Sequence, residues 1–256
     1  MMKSNLVLIH GFLEDRTMWD GLCSILEATP NAPKIWRYDL PAHGTSPALE
    51  GAHTMEAFAH FIAEKLDRDG VDDPIWIGHS MGGYVGLAFA ELFPNRLKGL
   101  MLFHSTAHAD SEAKVQERIK AADLVRRSAR PFIEMAIHNL FAPYNHKRMQ
   151  SAIEDAIGQA LLMEPEGIAK TLLGMRLRPD RVEVFKQAPY AAVVGGVDDP
   201  VIRFARERAT YENSNIVVHW LEHCGHMGHL ERTDEAFRVI QEWVFAISNS
   251  ESNPSK

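Results

Sequence analysis

Gly78-His79-Ser80-Met81-Gly82 sets a serine between glycines, after an apolar run at 74–77 and before an apolar helical stretch at 83–93. Strand, tight turn and helix are the context in which a G-x-S-x-G segment holds a nucleophile. Side chains at the glycines would clash with the neighbouring strand and helix, and the turn lifts the serine hydroxyl clear of the sheet. The following helix points free N–H groups at the same spot. A tightly packed glycine-rich turn is the ordinary reading of such a pentapeptide; its flanks make Ser80 a candidate nucleophile instead.

A serine hydroxyl is a weak nucleophile and needs a base. The chain offers 13 histidines, so position must choose among them. His226 lies in Glu222-His223-Cys224-Gly225-His226-Met227-Gly228-His229, between the last strand-like run and the last helical stretch. That loop follows the carboxyl end of its strand, as the serine turn does. In a parallel sheet those ends share one edge, where α/β folds place their sites. His223, Cys224, His226 and His229 also have the residue types of a metal site. Ligands so close in sequence would struggle to wrap one ion, and no metal is predicted.

The base needs an acid to orient it. Asp198 and Asp199 follow the apolar run 191–194 through Gly195-Gly196-Val197. Asp199-Pro200 could be an ordinary turn. After the run at 97–103, however, the chain reads His104-Ser105-Thr106 and has no carboxylate until Asp110. The pair Asp198/Asp199 therefore remains, in the order serine, acid, histidine.

These residues need a frame. Six short apolar runs, at 6–9, 35–38, 75–77, 97–103, 191–194 and 216–220, read as strands buried on both faces. Between them lie amphipathic stretches. Met18, Trp19, Leu22, Ile25 and Leu26 share one helical face, and Phe58, Phe61, Ile62 and Leu66 another. Thr54 and Thr233 are expected N-caps, with acids in the first turn behind each. Ala236, Phe237, Ile240, Trp243, Val244 and Ile247 form the apolar stripe of the last helix. Strands alternating with helices predict a doubly wound, mostly parallel α/β sheet. Between 110 and 187 the pattern is helical only, which predicts a helical insertion. The expected division is a core at 1–109 and 188–248, a helical cover at 110–187, and a polar, disordered tail at 249–256.

Whole-chain properties narrow the function. A chain of 256 residues with 46% hydrophobic and 24% charged residues is sized for one well-buried core. A formal net charge of −7 gives no support to nucleic-acid or anionic-membrane binding. No apolar run approaches the roughly 18 residues that span a bilayer. The N-terminal run is too short for a signal peptide, so Cys23 and Cys224 are expected as reduced thiols in the cytoplasm.

Five ordered segments together resemble the α/β-hydrolase superfamily, in particular its small esterases, enol-lactonases and haloperoxidase-like members. His10-Gly11-Phe12 resembles the oxyanion-hole loop. The segment from Asp39 to Ser46 resembles D-x-P-G-H-G-x-S, with Ala42 where glycine is usual. The run from Gly78 to Gly83 matches the nucleophile turn, Gly196-Val197-Asp198-Asp199-Pro200 the acid loop, and Gly225-His226 the histidine loop. The resemblance selects Asp199 over Asp198. It implies a triad of Ser80, Asp199 and His226, with the backbone N–H groups of Phe12 and Met81 as oxyanion hole. It makes the insertion a cap, with His10, Phe132 and Phe141 as candidate pocket residues. An initial antiparallel strand pair, usual in the family, is not expected here.

The implied reaction is cofactor-free acyl transfer on a small ester or lactone, with an oligomer possible at the exposed sheet edge. Alternatives on the same triad are C–C bond hydrolysis, a menaquinone-pathway synthase-like reaction, and a ligand-sensing receptor. Relatives acting on epoxides and haloalkanes use Asp where this chain has Ser80. Arg126, Arg127 and Arg130 are either carboxylate ligands or, in the ordinary reading, a solvated basic helix face.

Overall fold

The computed structural model describes residues 4–250. Six parallel strands form one sheet: β1 (Asn5–Ile9), β2 (Lys34–Tyr38), β3 (Ile75–His79), β4 (Gly99–Phe103), β5 (Ala192–Gly196) and β6 (Val217–Leu221), in the order β2-β1-β3-β4-β5-β6. The central strands β3, β4 and β5 are buried throughout, while the edges β2 and β6 are partly exposed. That is why the central strands read as unbroken apolar runs. Among the described residues the sheet has no antiparallel member.

Alternation along each strand feeds two cores. Leu6 and Leu8 pack with Ile75, Ile77, Met101 and Phe103 under helices α1 (Asp20–Glu27) and α11 (Thr233–Ser250). Val7 and Ile9 face the other way, with Trp76, Leu100 and Leu102, under α2 (Met55–Asp69) and α3 (Met81–Leu92). Thr54 caps α2 by accepting a hydrogen bond from Ala57 N–H. Thr233 departs from expectation. It is the first residue of α11, and its hydroxyl donates back to the carbonyls of His229 and Leu230. Those groups belong to the short helix α10 (Gly228–Glu231), which runs into α11 and makes a separate cap unnecessary. Helix α11 also continues through Asn249 and Ser250, two residues into the stretch expected as tail. The remaining expected tail lies outside the described residues.

The insertion is helical, as α4 (Glu112–Arg127), α5 (Ala129–His138), α6 (Gln150–Ala160), α7 (Pro165–Met175) and α8 (Val182–Gln187), and α9 (Phe204–Tyr211) follows β5. Helix α4 packs along α7 and α5, α5 against α6, and α8 against α3. Buried Arg181 fastens the last of these, reaching Glu56 at 2.5 Å and Glu91 at 2.8 Å while its N–H donates to the Ala107 carbonyl.

Chain direction across the sheet reverses between β1 and β3, with β2 on one side and β4, β5 and β6 on the other. Such a switch point opens a crevice at the strands' carboxyl ends. The register Ile9↔Gly78 sets the loop after β1 directly beside the serine turn after β3. His79↔Phe103 then brings in the loop after β4.

Candidate active site

Ser80 has φ 47° and ψ −111°, between strand β3 and helix α3. A non-glycine residue there carries strain of roughly 1–3 kcal/mol, held by its surroundings. The glycines beside it are needed for space. A Cβ on Gly78 would lie 2.2 Å from the Gly82 backbone, and one on Gly82 2.4 Å from the Ile9 carbonyl oxygen. Of the eight described non-glycine residues with positive φ, five follow strand ends: Leu13, Ala42, Ser80, His104 and His223. The backbone strain thus gathers along the rim that carries the candidate site.

Asp199 Oδ2 accepts a hydrogen bond from His226 Nδ1 at 2.7 Å. Its Oδ1 accepts the Val201 and Ile202 N–H groups, each at 2.8 Å. Burial opposes ionisation, but the charge and hydrogen bonds of His226 and His104 hold the carboxyl well below the usual range. Asp198, by contrast, is exposed and accepts the Tyr144 hydroxyl at 2.5 Å. The selection of Asp199 thus corresponds to the carboxylate that faces the imidazole.

The second imidazole on Asp199 was not foreseen. His104, at φ 46° after β4, places Nδ1 3.3 Å from Asp199 Oδ2. Burial lowers its pKa to about 4, so the ring is neutral and Nδ1–H is the donor. This strand end carries no acid of its own; the residue there supports the acid from the next strand.

A buried pair lies beneath. His79 Nδ1 meets Glu14 Oε2 at 2.6 Å, and its Nε2 donates to the His226 carbonyl at 3.0 Å. With an acceptor at each nitrogen, the ring is placed as an imidazolium. Burial works against that charge, but Glu14 and the His226 carbonyl together outweigh it and raise the pKa. For Glu14, burial opposes ionisation while the His79 charge and hydrogen bond bring the pKa down to about 2. Glu14 Oε2 also accepts Gly11 N–H at 2.6 Å. This pair therefore joins the loop after β1, the serine turn and the histidine loop.

Histidine and carboxylate atoms gather in two places among the described residues, Glu14–His79–His229 and His104–Asp199–His226. The closest pairs in both are at hydrogen-bond distance. Burial lowers the His229 pKa to about 3, and its Nδ1 has no partner among the described residues. His223 and Cys224 join neither group. The four residues weighed as a metal set therefore part company: His226 turns to Asp199, His229 toward Glu14 and His79, and His223 toward the Tyr144 ring.

A cavity of about 100 Å³ is lined by Phe12, Ser80, Leu140, Met175 and His226, among others. The Ser80 hydroxyl makes no hydrogen bond among the described residues, and Ser80 lines this cavity. Neither Phe12 N–H nor Met81 N–H has a protein acceptor among the described residues, so both remain available as donors. Phe132 lines an adjoining apolar cavity of about 490 Å³ with Phe12, Met135 and Leu140.

Two expected pocket residues are elsewhere. His10 is fully buried; its Nε2 accepts Leu40 N–H at 2.9 Å and its Nδ1 donates to the Gly11 carbonyl at 2.7 Å. Both nitrogens thus shape backbone, leaving none for substrate. Phe141 is 1% exposed within the core, because the loop after α5 turns its side chain inward and presents Leu140 to the cavity. Arg126 is bound by Glu166 and Arg130 by Glu134 on the surface, as the ordinary reading holds. The cations that do reach the cavity, Lys114 and Arg118 on α4, were missed.

Comparison with known proteins bears on the fold and the family. The model of the alpha/beta hydrolase family matches residues 6–239. A thermophilic esterase of Thermogutta terrifontis, solved with malate bound, superposes with TM-score 0.88 at 29% identity, covering 96% of this chain and 91% of that one. A 2-hydroxy-6-oxononadienedioate/2-hydroxy-6-oxononatrienedioate hydrolase of Burkholderia vietnamiensis is 27% identical, over 93% of this chain and 86% of its own. The dihydrolipoyllysine-residue acetyltransferase component of the acetoin cleaving system of Cupriavidus necator is also 27% identical, over 90% of this chain. The match spans only 60% of that longer relative. With its parallel sheet, strained serine turn and matched length, the chain belongs to the alpha/beta hydrolase family.

Proposed function

We propose that the protein is a serine hydrolase of small carboxylic esters or lactones, acting through Ser80, His226 and Asp199. The observation that carries this reading is the 2.7 Å bond between Asp199 and His226, with His226 and Ser80 lining one cavity. In the proposed mechanism neutral His226 takes the Ser80 proton as the hydroxyl oxygen attacks the carbonyl carbon. Phe12 N–H and Met81 N–H hold the developing oxyanion, a contribution typically worth several kcal/mol of barrier. Asp199 fixes the His226 tautomer and stabilises the imidazolium. His226 returns the proton to the leaving alcohol, and water then repeats the cycle on the acyl-enzyme. Every step uses side chains and backbone of the chain, so the mechanism calls for no cofactor. The unpaired, buried thiols of Cys23 and Cys224 favour the cytoplasm as its setting.

The test is an active-site-directed fluorophosphonate combined with a panel of aryl esters and lactones. Ser80→Ala is expected to abolish labelling and to lower kcat by about 10⁶. Asp199→Asn is expected to lower kcat by about 10⁴ and Asp198→Asn far less. Near-wild-type turnover by purified Ser80→Ala would remove the nucleophile assignment. C–C bond hydrolysis is the second reading, favoured by the 27% identity to the Burkholderia vietnamiensis hydrolase. Turnover of a vinylogous 1,5-diketone with no turnover of esters would select it.

A further inference from the structure

The cavity at Ser80 has a polar neighbour as well as an apolar one. This annex, of about 340 Å³, shares Tyr84, Lys114, Arg118 and Val201 with the Ser80 cavity. Its charged lining consists of Lys114, Arg118, Arg178, Arg203 and Arg206 against Asp110 and Glu117. Five cations to two carboxylates is the reverse of the chain as a whole, with its formal net charge of −7.

Existing partners leave positive charge over. Asp110 serves two guanidinium groups, Arg118 at 2.5 Å and Arg178 at 2.7 Å. Lys114 has Glu117 at 3.0 Å, and Arg206 has Glu207 at 3.2 Å. Arg203 has no carboxylate partner among the described residues. One charge of the Asp110 cluster and that of Arg203 are therefore not matched by a carboxylate, although Arg178 also donates to the Met175 and His108 carbonyls at 3.0 and 3.3 Å. Arg178 is built in firmly. Its side chain is 5% exposed and its guanidinium lies 4.0 Å above the Tyr84 ring, yet its Nε lacks a partner among the described residues. A structural tie between α4 and the 176–181 segment requires one arginine on Asp110. One buried and one half-buried arginine on one acid, with a third at the rim that has no carboxylate partner among the described residues, exceed that requirement and suit an anion.

We propose that this annex binds a carboxylate carried by the substrate, making the substrate class an ester or lactone with one acidic end. The inference rests on the reading of Ser80 as nucleophile. The reacting carbonyl sits at Ser80, the acidic end lies among Arg178, Arg203 and Lys114, and the remainder contacts the apolar side formed by Phe12 and Leu140. A positive, partly enclosed cavity in an acidic protein also concentrates small anions at the site.

Mono-p-nitrophenyl succinate, glutarate and adipate test this against their methyl-capped diesters, in which one added methyl removes the charge. For the acid of best length, KM is expected to be lower than that of its capped partner by about tenfold or more. The ratio is expected to shrink as salt rises. Arg203→Gln and Lys114→Gln, both on exposed side chains, are expected to move the ratio toward one. Arg238→Gln, a surface change on α11, is expected to leave it unchanged. Ser80-dependent hydrolysis with equal KM for acid and capped esters, or a ratio unmoved in both variants, overturns the carboxylate proposal alone. No hydrolysis of either series and no fluorophosphonate labelling overturns the serine reading, and this proposal with it.

Discussion

Asp199 accepts four donors, two imidazole and two backbone, and that explains how a carboxylate 2% exposed keeps its charge. The Glu14–His79 pair solves the same problem with opposite charges and gives a pH signature. Glu14 has its pKa lowered from 4.5 to about 2, so its contribution is present above pH 4.5 and lost as pH falls toward 2. The His79 pKa is raised from 6.5, so its contribution is present below 6.5 and lost as pH rises through the raised value. The pair is therefore at full strength between those two limits. Glu14→Gln is expected to cost about 3 kcal/mol there, since it leaves a buried cation without its counter-ion. Melting curves of wild type and variant from about pH 5 to pH 9 should converge on the alkaline side. A gap that widens with pH would contradict a charged pair. Ser80, Asp199 and His226 could be proposed from the sequence because each sits in a short segment just past a strand. Glu14 and His104 could not. Glu14 reaches a partner 65 positions away, and His104 acts on an acid from another strand, so no local pattern marks either.

Elements were legible in proportion to how much of their environment is local. A strand buried on both faces announces itself as an apolar run, and all six strands fall within two residues of expectation. The helices of the insertion have only a period to show, and a period does not say which residue at a bend faces the sheet. Leu140 and Phe141 are adjacent, yet one lines the cavity and the other is core. Fit between elements also explains a departure from the family pattern. Ala42 holds φ 65° where glycine is usual. A Cβ on Gly167 of α7 would come within 2.6 Å of the Ala42 methyl, so the insertion provides the space that the turn uses. The cavity at Ser80 is small, about 100 Å³, and Phe12, Ala136 and Leu140 line both it and the apolar one. Short or aromatic acyl esters should therefore have higher kcat/KM than long-chain ones. Phe132→Ala and Leu140→Ala are expected to shift the optimum toward longer chains, because a methylene that fits or clashes is worth about 1–3 kcal/mol. An ester series with a long-chain optimum in the wild type, or unshifted in both variants, would remove α5 and its following loop as the selecting element.

At the scale of the whole molecule, the insertion and the sheet share one core. Val7, Ile9, Trp76 and Leu100 from the strands belong to the same buried cluster as Val125, Phe132, Ile137, Phe141 and Ile168. Further bonds cross the same boundary. Ala142 N–H and Asn145 donate to buried Glu231 of α10, at 3.0 and 2.7 Å, and His226 N–H donates to the Leu140 carbonyl at 2.7 Å. The cover is thus fastened to the loop that carries the proposed base. Opening it would expose apolar surface from both parts and break the bond that places His226. The insertion is therefore expected to unfold with the sheet in a single transition, although the sequence divides it off as a separate helical stretch. Phe141→Ala tests this, since its ring is core to both parts and lines none of the cavities at the site. Truncating a buried phenylalanine costs about 3–5 kcal/mol. For a chain of this size each kcal/mol lowers Tm by roughly 2–4 °C, so the fall should be on the order of 10 °C. Calorimetry should show one peak displaced as a whole, with loss of the proposed hydrolase activity following the same curve. A variant that splits into two transitions, the sheet melting at its original temperature, would show that the insertion folds on its own.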